Sequence, residues 1–419
     1  MRIAVVGSGI AGLASAWELS RSHEVTLFEQ ASYLGGHTHT HEVRVAGVHH
    51  VVDTGFIVHN RAHYPLLSAL FDELGVATRP TTMSFSVRNE GSGLEYNAAH
   101  LRGLFCQSRN LLSPAFWGML RDLARFYREA PALLDTTGPG PTLGEFLDSE
   151  GYGAAFRDDH LVPMASALWS SPSRQILGFP ARYLVQFMVN HQMLDLGNRP
   201  QWRVVEGGSS SYIKAMRQRW HVRERLNCAV LAVRRLDEGV ELELRDGTER
   251  FDHVVLACHS DQALHMLADP DFREREILGA LPYQVNDTVL HTDASVLPRR
   301  RRAWAAWNAH VGPEANDPCT VSYCMNLLQG IASAEPLIVT LNRTDAIDPA
   351  RILRRMHYSH PVQTHAAVAA KARKHEIQGK RNTWFAGAYW GWGFHEDGMR
   401  SAHDVVQALG ATAGCEALA

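Results

Sequence analysis

The chain has 419 residues, 45% of them hydrophobic and 20% charged, with a formal net charge of -3. That length exceeds an ordinary single domain and supports a large core, and the near-neutral balance argues against a nucleic-acid binder. No run of roughly 18 apolar residues offers a membrane span, the first strand leaves no room for a signal peptide, and the six cysteines form no C-x-x-C pair, so a reducing cytoplasm is the expected compartment.

The chain opens with a short apolar run, Ile3 to Val6, long enough for a buried parallel strand. Gly7-Ser8-Gly9-Ile10-Ala11-Gly12 follows, and Leu13 to Leu19 has helical character. In a G-x-G-x-x-G turn Gly7 allows the tight bend, Gly9 leaves room for a pyrophosphate, and Gly12 lets helix and strand pack closely. The helix N-terminus offers free N–H groups and partial positive charge to the phosphates. A second strand, Glu24 to Phe28, ends at Glu29 and Gln30. Glu29 lies about 20 residues beyond the glycines, where a carboxylate can accept both ribose hydroxyls; FAD or NAD is expected over NADP. Gly35-Gly36 suggests a second approach of backbone to the cofactor. His37, His39 and His41 alternate and would share one face of a strand. They read as solvated or substrate-facing, and no metal site is expected. Val48 to Val52 is a strand running into Asp53-Thr54-Gly55-Phe56.

Tyr64 to Leu74 is an amphipathic helix closed by Gly75, and Thr82 to Arg88 alternates like a strand. Residues 98 to 195 are mostly helical. Thr142 with Glu145 three residues later predicts a capping box. Leu161 to Trp169 and Tyr183 to Leu194 are rich in Leu, Met, Phe and Trp; they form core, the wall of a long apolar substrate tunnel, or both. Trp202 to Ile213 reads as strand, glycine pair and helix start. Leu226 to Val233 and Val240 to Leu244 are strands, Asp246-Gly247 is a hairpin turn, and Phe251 to Cys258 is a buried strand. Val285 to His291 and Leu337 to Leu341 are further strands. The run Arg299 to Arg302 is a solvated turn or a patch for anionic lipid headgroups. Thr383 to Gly387 is a strand ending in Ala-Gly. An aromatic loop follows it, and a helix start at Gly398-Met399 leads on to Leu409.

GSGIAGL, Glu29, LGGH and VDTG, in that order, resemble the flavin-containing amine oxidase superfamily. So do the glycine pair Gly207-Gly208, the strand FDHVVLAC and the closing Ala386-Gly387. The tail AGAYWGWGFHEDG is similar to a bacterial branch of flavoproteins associated with cyclopropane-fatty-acid synthase-like lipid-modifying enzymes. The resemblance implies an α/β fold: a Rossmann-type FAD-binding domain, monoamine oxidase-like, with an inserted α+β substrate domain. Residues 1–60, 200–265 and 380–419 would build the FAD-binding domain, and 61–199 and 266–379 the substrate-binding domain. FAD would meet Gly7, Gly9, Ile10, Ala11, Gly12, Glu29, Gln30, Gly35, Gly36, His37, Thr54, Gly55, Val230, Gly387, Gly398 and Met399. Two positions depart from the superfamily pattern: His37 stands where an Arg is usual, and Ala388 where a Glu is usual.

The resemblance further implies an FAD-dependent oxidoreductase acting on an unsaturated or methyl-branched fatty-acyl chain. Hydride would pass to flavin N5, giving a diene or a shifted double bond. Phe56, Tyr389, Trp390 and Trp392 would shape the substrate pocket, and His395 and Glu396 are the candidate bases. An amine or porphyrinogen oxidase is the alternative. It is weakened because the lysines after residue 266 are only Lys371, Lys374 and Lys380, none a convincing match for the usual active-site lysine. A non-catalytic flavin- and lipid-binding partner of a lipid methyltransferase is a third reading. Expected partners are a lipid or fatty-acyl substrate, transiently a membrane surface, and a lipid methyltransferase. The expected location is cytoplasmic, at most peripheral at the inner face of the membrane.

Overall fold

The computed structural model describes residues 1–195, 197, 199–313 and 319–416, the side chains of 411–416 excepted. Its first layer is a five-stranded parallel sheet. In spatial order the strands are Val222–Arg225, Glu24–Phe28, Arg2–Val6, His253–Leu256 and Thr383–Phe385. The three central strands are nearly continuous apolar runs because both faces of a parallel sheet are covered. Ile3, Val5, Leu27 and Leu13 are fully enclosed; burying each contributes about 2 kcal/mol. Helix Ile10–Leu19 and helix His395–Glu416 pack against each other on one face. The strand Val222–Arg225 was not apparent in the sequence, since V-R-E-R is a short, charged edge.

Two expected strands are re-drawn. Leu226 to Ala229 is a turn, with Asn227 at φ 52° and the Cys228 N–H on Glu29 O at 2.9 Å; the strand starts at Val230. The run Phe251 to Cys258 is split at Asp252, whose carboxylate accepts the Arg2 N–H at 2.6 Å. Phe251 closes an antiparallel meander with Val230–Arg235 and Val240–Leu244, and His253–Leu256 enters the parallel sheet. The capping box of Thr142 and Glu145 forms as the sequence suggests, whereas the expected Asp246-Gly247 hairpin turn is shifted by one residue: Arg245 and Asp246 make the turn, and Gly247 pairs with Leu244 at the start of the next strand.

The second layer is a seven-stranded, largely antiparallel sheet. Its order is Ile352–Pro361, Tyr283–His291, Ile338–Leu341, Thr320–Cys324, Trp307–Val311, Phe85–Asn89 and Glu95–Asn97. The helical block between residues 101 and 190 packs beside it around Phe126, Phe156, Leu184 and Phe187. The change of sheet falls at Tyr283 and Pro361, inside the stretch 266–379. Helices Ser260–Met266, Phe272–Gly279 and His365–Ala372 instead share a core with Val254, Leu256 and Phe385 of the parallel sheet. Asp53 ties distant segments together: its buried carboxylate accepts from Ser209 N and Oγ, Thr40 Oγ1 and Gln329 Nε2. Burial, opposed by those bonds, raises its pKa to about 6. Among the described residues no helix is long and apolar enough to cross a membrane.

Candidate active site

The glycine turn at the end of Arg2–Val6 is held by sterics. Gly7 sits at φ +97°, and a Cβ there would lie 2.8 Å from Ala257 O. A Cβ on Gly12 would lie 1.9 Å from Gly7 O, so only glycine lets the helix approach the strand. Gly9 differs: nothing lies within 4 Å of its Cβ position, and it lines a cavity of about 1490 Å³. It also starts helix Ile10–Leu19, whose first turn holds no acidic side chain. The first-turn N–H groups therefore face a space that suits an anion.

A second glycine pair meets the first. Gly35 N–H donates to Ser8 O at 3.0 Å, and a Cβ on Gly36 would be 3.1 Å from Gly9 Cα. Glu29 is fixed between the loops. Its Oε2 accepts from Ser8 N at 2.9 Å and Ser8 Oγ at 2.6 Å, and its Oε1 from Ala31 N at 2.8 Å. Glu29, Gln30 and Val230 line the same end of the cavity.

His37 stands in the cavity wall, and its Nε2 is buried without a hydrogen-bond partner. Its ring lies 5.0 Å from Tyr358, 5.1 Å from His360 and 6.4 Å from His259. Shielding from water, reinforced by the neighbouring imidazoles, holds its pKa well below 6.5; His360 is depressed to about 4. Three neutral imidazoles thus gather where the superfamily has an arginine. His39 turns away to Tyr358 Oη and stacks on Tyr33. Among the described residues no group of three potential ligands could hold a metal ion.

Further along, Thr54, Gly55 and Phe56 line the cavity. Phe56 stacks on His395 at 3.7 Å. His395 Nε2 lies 2.9 Å from Thr38 Oγ1, which lies 2.6 Å from Tyr212 Oη. Burial depresses the His395 pKa to about 3, so its imidazole is neutral. Gly387, Tyr389 and Trp392 also line the cavity.

Several expected site residues lie elsewhere. The final helix begins at His395, not at Gly398-Met399, because Asp397 accepts the Trp392 and Phe394 N–H groups at 3.0 Å and caps the turn early. Gly398 instead packs on helix Ile10–Leu19, where a Cβ would be 2.6 Å from Ile10 Cγ2, and Met399 is in the core. Gly12 and Gly35 shape the turn but do not reach the cavity wall. Trp390 turns into the core behind the pocket, its Nε1 donating to Phe385 O at 3.1 Å. Glu396 faces away from the cavity and accepts the Leu66 and Leu67 N–H groups at 2.9 and 3.1 Å, capping helix Pro65–Leu74. Its carboxylate is thereby spent. Glu396→Gln should lower the thermal midpoint, at a cost of about 1–3 kcal/mol, and leave turnover intact. A hundredfold loss of rate in a folded variant would restore Glu396 as the base.

Sequence reasoning missed His259, His360 and Tyr358, and it missed the role of Lys371. Lys371 is buried behind the aromatic loop, donating to Gly391 O at 2.6 Å, Gln363 Oε1 at 2.6 Å and Tyr183 Oη at 3.0 Å. Burial lowers its pKa to about 7. It braces the loop and does not line the cavity.

Two features test the fit of a dinucleotide here: the open face of Gly9, which any side chain would fill, and the unpartnered His37 Nε2. Both suit a phosphate-bearing cofactor with the glycine loops at its centre and Glu29 at its ribose.

The family described as flavin containing amine oxidoreductase matches residues 10–292. A provisionally named flavin-containing monoamine oxidase, AofH, of Mycobacterium tuberculosis is 29% identical over 283 residues, 64% of this chain. The match spans 59% of that relative's length. Among solved structures, a fatty acid isomerase of P. acnes that produces CLA covers 97% of this chain and 98% of its own, with TM-score 0.66 and 18% identity. Cyclohexylamine oxidase of Brevibacterium oxydans covers 99% of both chains, with TM-score 0.68 and 16% identity. These two likenesses show a common fold. The chain belongs to the flavin-containing amine oxidoreductase family.

Proposed function

We propose that this protein oxidises an unsaturated or methyl-branched fatty-acyl chain, introducing or shifting a double bond. The observation that carries the reading is the chemistry of the cavity beyond the glycine loops. Ring contacts trace an arm walled largely by aromatic rings: Phe394, beside His395, lies 5.2 Å from Phe187 and 6.4 Å from Trp169, and the charged side chain on this stretch of the lining is a cation, Arg199. Met164, Leu168 and Met193 continue the lining. The carboxylates of the lining, Glu29 and Asp261, follow strands Glu24–Phe28 and His253–Leu256 at the nucleotide end. A protonated amine would find no counter-charge in the arm, whereas an alkyl chain needs none. Amine oxidases are as close in fold as the fatty acid isomerase, so the lining, not the likeness, separates the two readings.

When bound, FAD supplies the acceptor for the hydride equivalent that leaves the chain. The residues of the protein have the remaining tasks. The arm excludes water and orients the chain. The neutral His395 imidazole faces the cavity and takes the accompanying proton. A carbon next to one that has lost hydride is a strong acid, so a base weakened by burial suffices. Thr38 and Tyr212 fix the ring's orientation.

Turnover of phospholipid bearing a cis-monounsaturated chain tests this, with mass spectrometry reading a loss of two hydrogens or a moved double bond. His395→Ala should lower the rate by about 10²–10⁴-fold while retaining the flavin spectrum. Turnover of primary amines with none of lipid would overturn the reading.

A further inference from the structure

From Ala98 to Arg121 the chain carries no acidic residue. This stretch also holds the molecule's densest group of exposed large apolar side chains: Leu101 is 73% exposed, Leu111 51%, Leu112 87% and Trp117 50%. They are not scattered singly. The Trp117 Nε1 donates to Leu111 O at 2.9 Å, and its ring lies 5.8 Å from that of Phe105, which keeps the indole against the leucines. An exposed cluster of this kind marks a surface that meets something else.

The arginine run is brought to the same face. Glu95 accepts the backbone N–H groups of Arg299 and Arg300 at 2.8 and 3.2 Å, and Asn97 Nδ2 donates to Trp304 O at 2.9 Å. The turn Arg301–Ala303 thereby lies against helix Leu101–Leu104. Arg301 and Arg302 are exposed, as are Arg102 and Arg109. Among the described residues none of these four is in an ion pair with a carboxylate. A rim of uncompensated guanidinium groups around leucines and a tryptophan has the chemistry of a peripheral membrane surface. Tryptophan favours the headgroup boundary, and arginines attract anionic lipid.

The cavity comes to the surface at the same place. Ala98 and Ala99 are exposed and line it, and Leu123 and Tyr127, on the helix that carries Trp117, line it too. We propose that this face docks on an anionic lipid bilayer, with Leu111, Leu112 and Trp117 in the headgroup region. An acyl chain then enters at Ala98–Ala99 without crossing water. The passage of the chain rests on the acyl-chain reading; the docking rests on the face itself.

The test is co-sedimentation of the FAD-loaded protein with vesicles of phosphatidylcholine alone or mixed with phosphatidylglycerol, all with saturated chains. Saturated chains offer no double bond, so docking is read whether or not the acyl-chain reading holds. The protein should sediment with the anionic vesicles, weakly with the neutral ones, and less as salt rises. Arg301→Gln and Arg302→Gln should each weaken binding about fivefold, and Leu112→Ser with Trp117→Ser about tenfold or more. Each variant should retain the wild-type visible spectrum and thermal midpoint. Equal binding to both vesicle types, no binding, or wild-type binding by the variants would overturn the proposal. So would a wild-type dimer that Leu112→Ser with Trp117→Ser converts to monomer, since the face would then meet a second copy.

Discussion

Gly9→Glu should give a folded, colourless protein. The cofactor site has two kinds of glycine, and they fail differently. At Gly12 an added Cβ would collide with Gly7 O, and at Gly7 with Ala257 O, so substitution there damages the parallel sheet itself. At Gly9 nothing lies within 4 Å of the Cβ position, so the first side-chain carbon meets no protein atom and the turn itself is not forced apart. The new carboxylate would instead occupy the space in front of the helix Ile10–Leu19 N-terminus, satisfying the N–H groups meant for phosphate and adding a like charge beside it. FAD binding should weaken by at least about a hundredfold, and the purified variant should show wild-type circular dichroism with no flavin absorbance. Yellow colour at wild-type stoichiometry would refute the cofactor site.

Acid should destabilise the protein from about pH 6.5 downward. Among the histidines that are nine-tenths or more enclosed are His59, His160, His291 and His395, at 2%, 4%, 0% and 9% exposure. Burial depresses the first three to about 4 and His395 to about 3. The hydrogen bonds agree. His291 Nδ1 accepts the Asp293 N–H at 3.1 Å, a bond that protonation destroys, and neither ring nitrogen of His59 has a partner to share a proton with. Unfolded histidine titrates near 6.5. A depressed histidine therefore contributes its full share above that value and loses it as pH falls toward the folded value. Each group loses about 1.4 kcal/mol per pH unit, so the four together lose on the order of 8 kcal/mol between pH 6.5 and 5. That is comparable with the whole stability of a typical domain, roughly 5–15 kcal/mol. Calorimetry of the FAD-loaded protein should show the thermal midpoint falling by on the order of 10 °C across this range. A midpoint unchanged down to pH 5 would show that these histidines are not held neutral.

The parts of the site legible in the sequence are those fixed by local sterics. The turn from Gly7 to Gly12 needs its spacing to bring helix and strand together, and Glu29 follows from where the next strand ends. The histidine group was not legible. His37 meets His360 because Tyr283–His291 pairs with Ile352–Pro361 across a long connection, a register that no short window displays. Glu396 was misassigned because it adjoins His395 in the chain; on a helix neighbours point about 100° apart, so one faces the cavity and the other caps Pro65–Leu74. Trp390 errs likewise: in the tight turn Ala388–Trp390 both rings pack in the core, and of the two Tyr389 alone also reaches the cavity wall. The apolar segments around Met164 and Phe187 proved to be core and cavity wall together, since one helix face serves each.

The most direct measurement is an anaerobic visible spectrum of the FAD-loaded protein before and after adding phospholipid with a cis-monounsaturated chain. Bleaching of the flavin band by that lipid, and not by its saturated counterpart or by a primary amine, is the predicted result. A band left unchanged by the lipid and bleached by the amine would contradict the account.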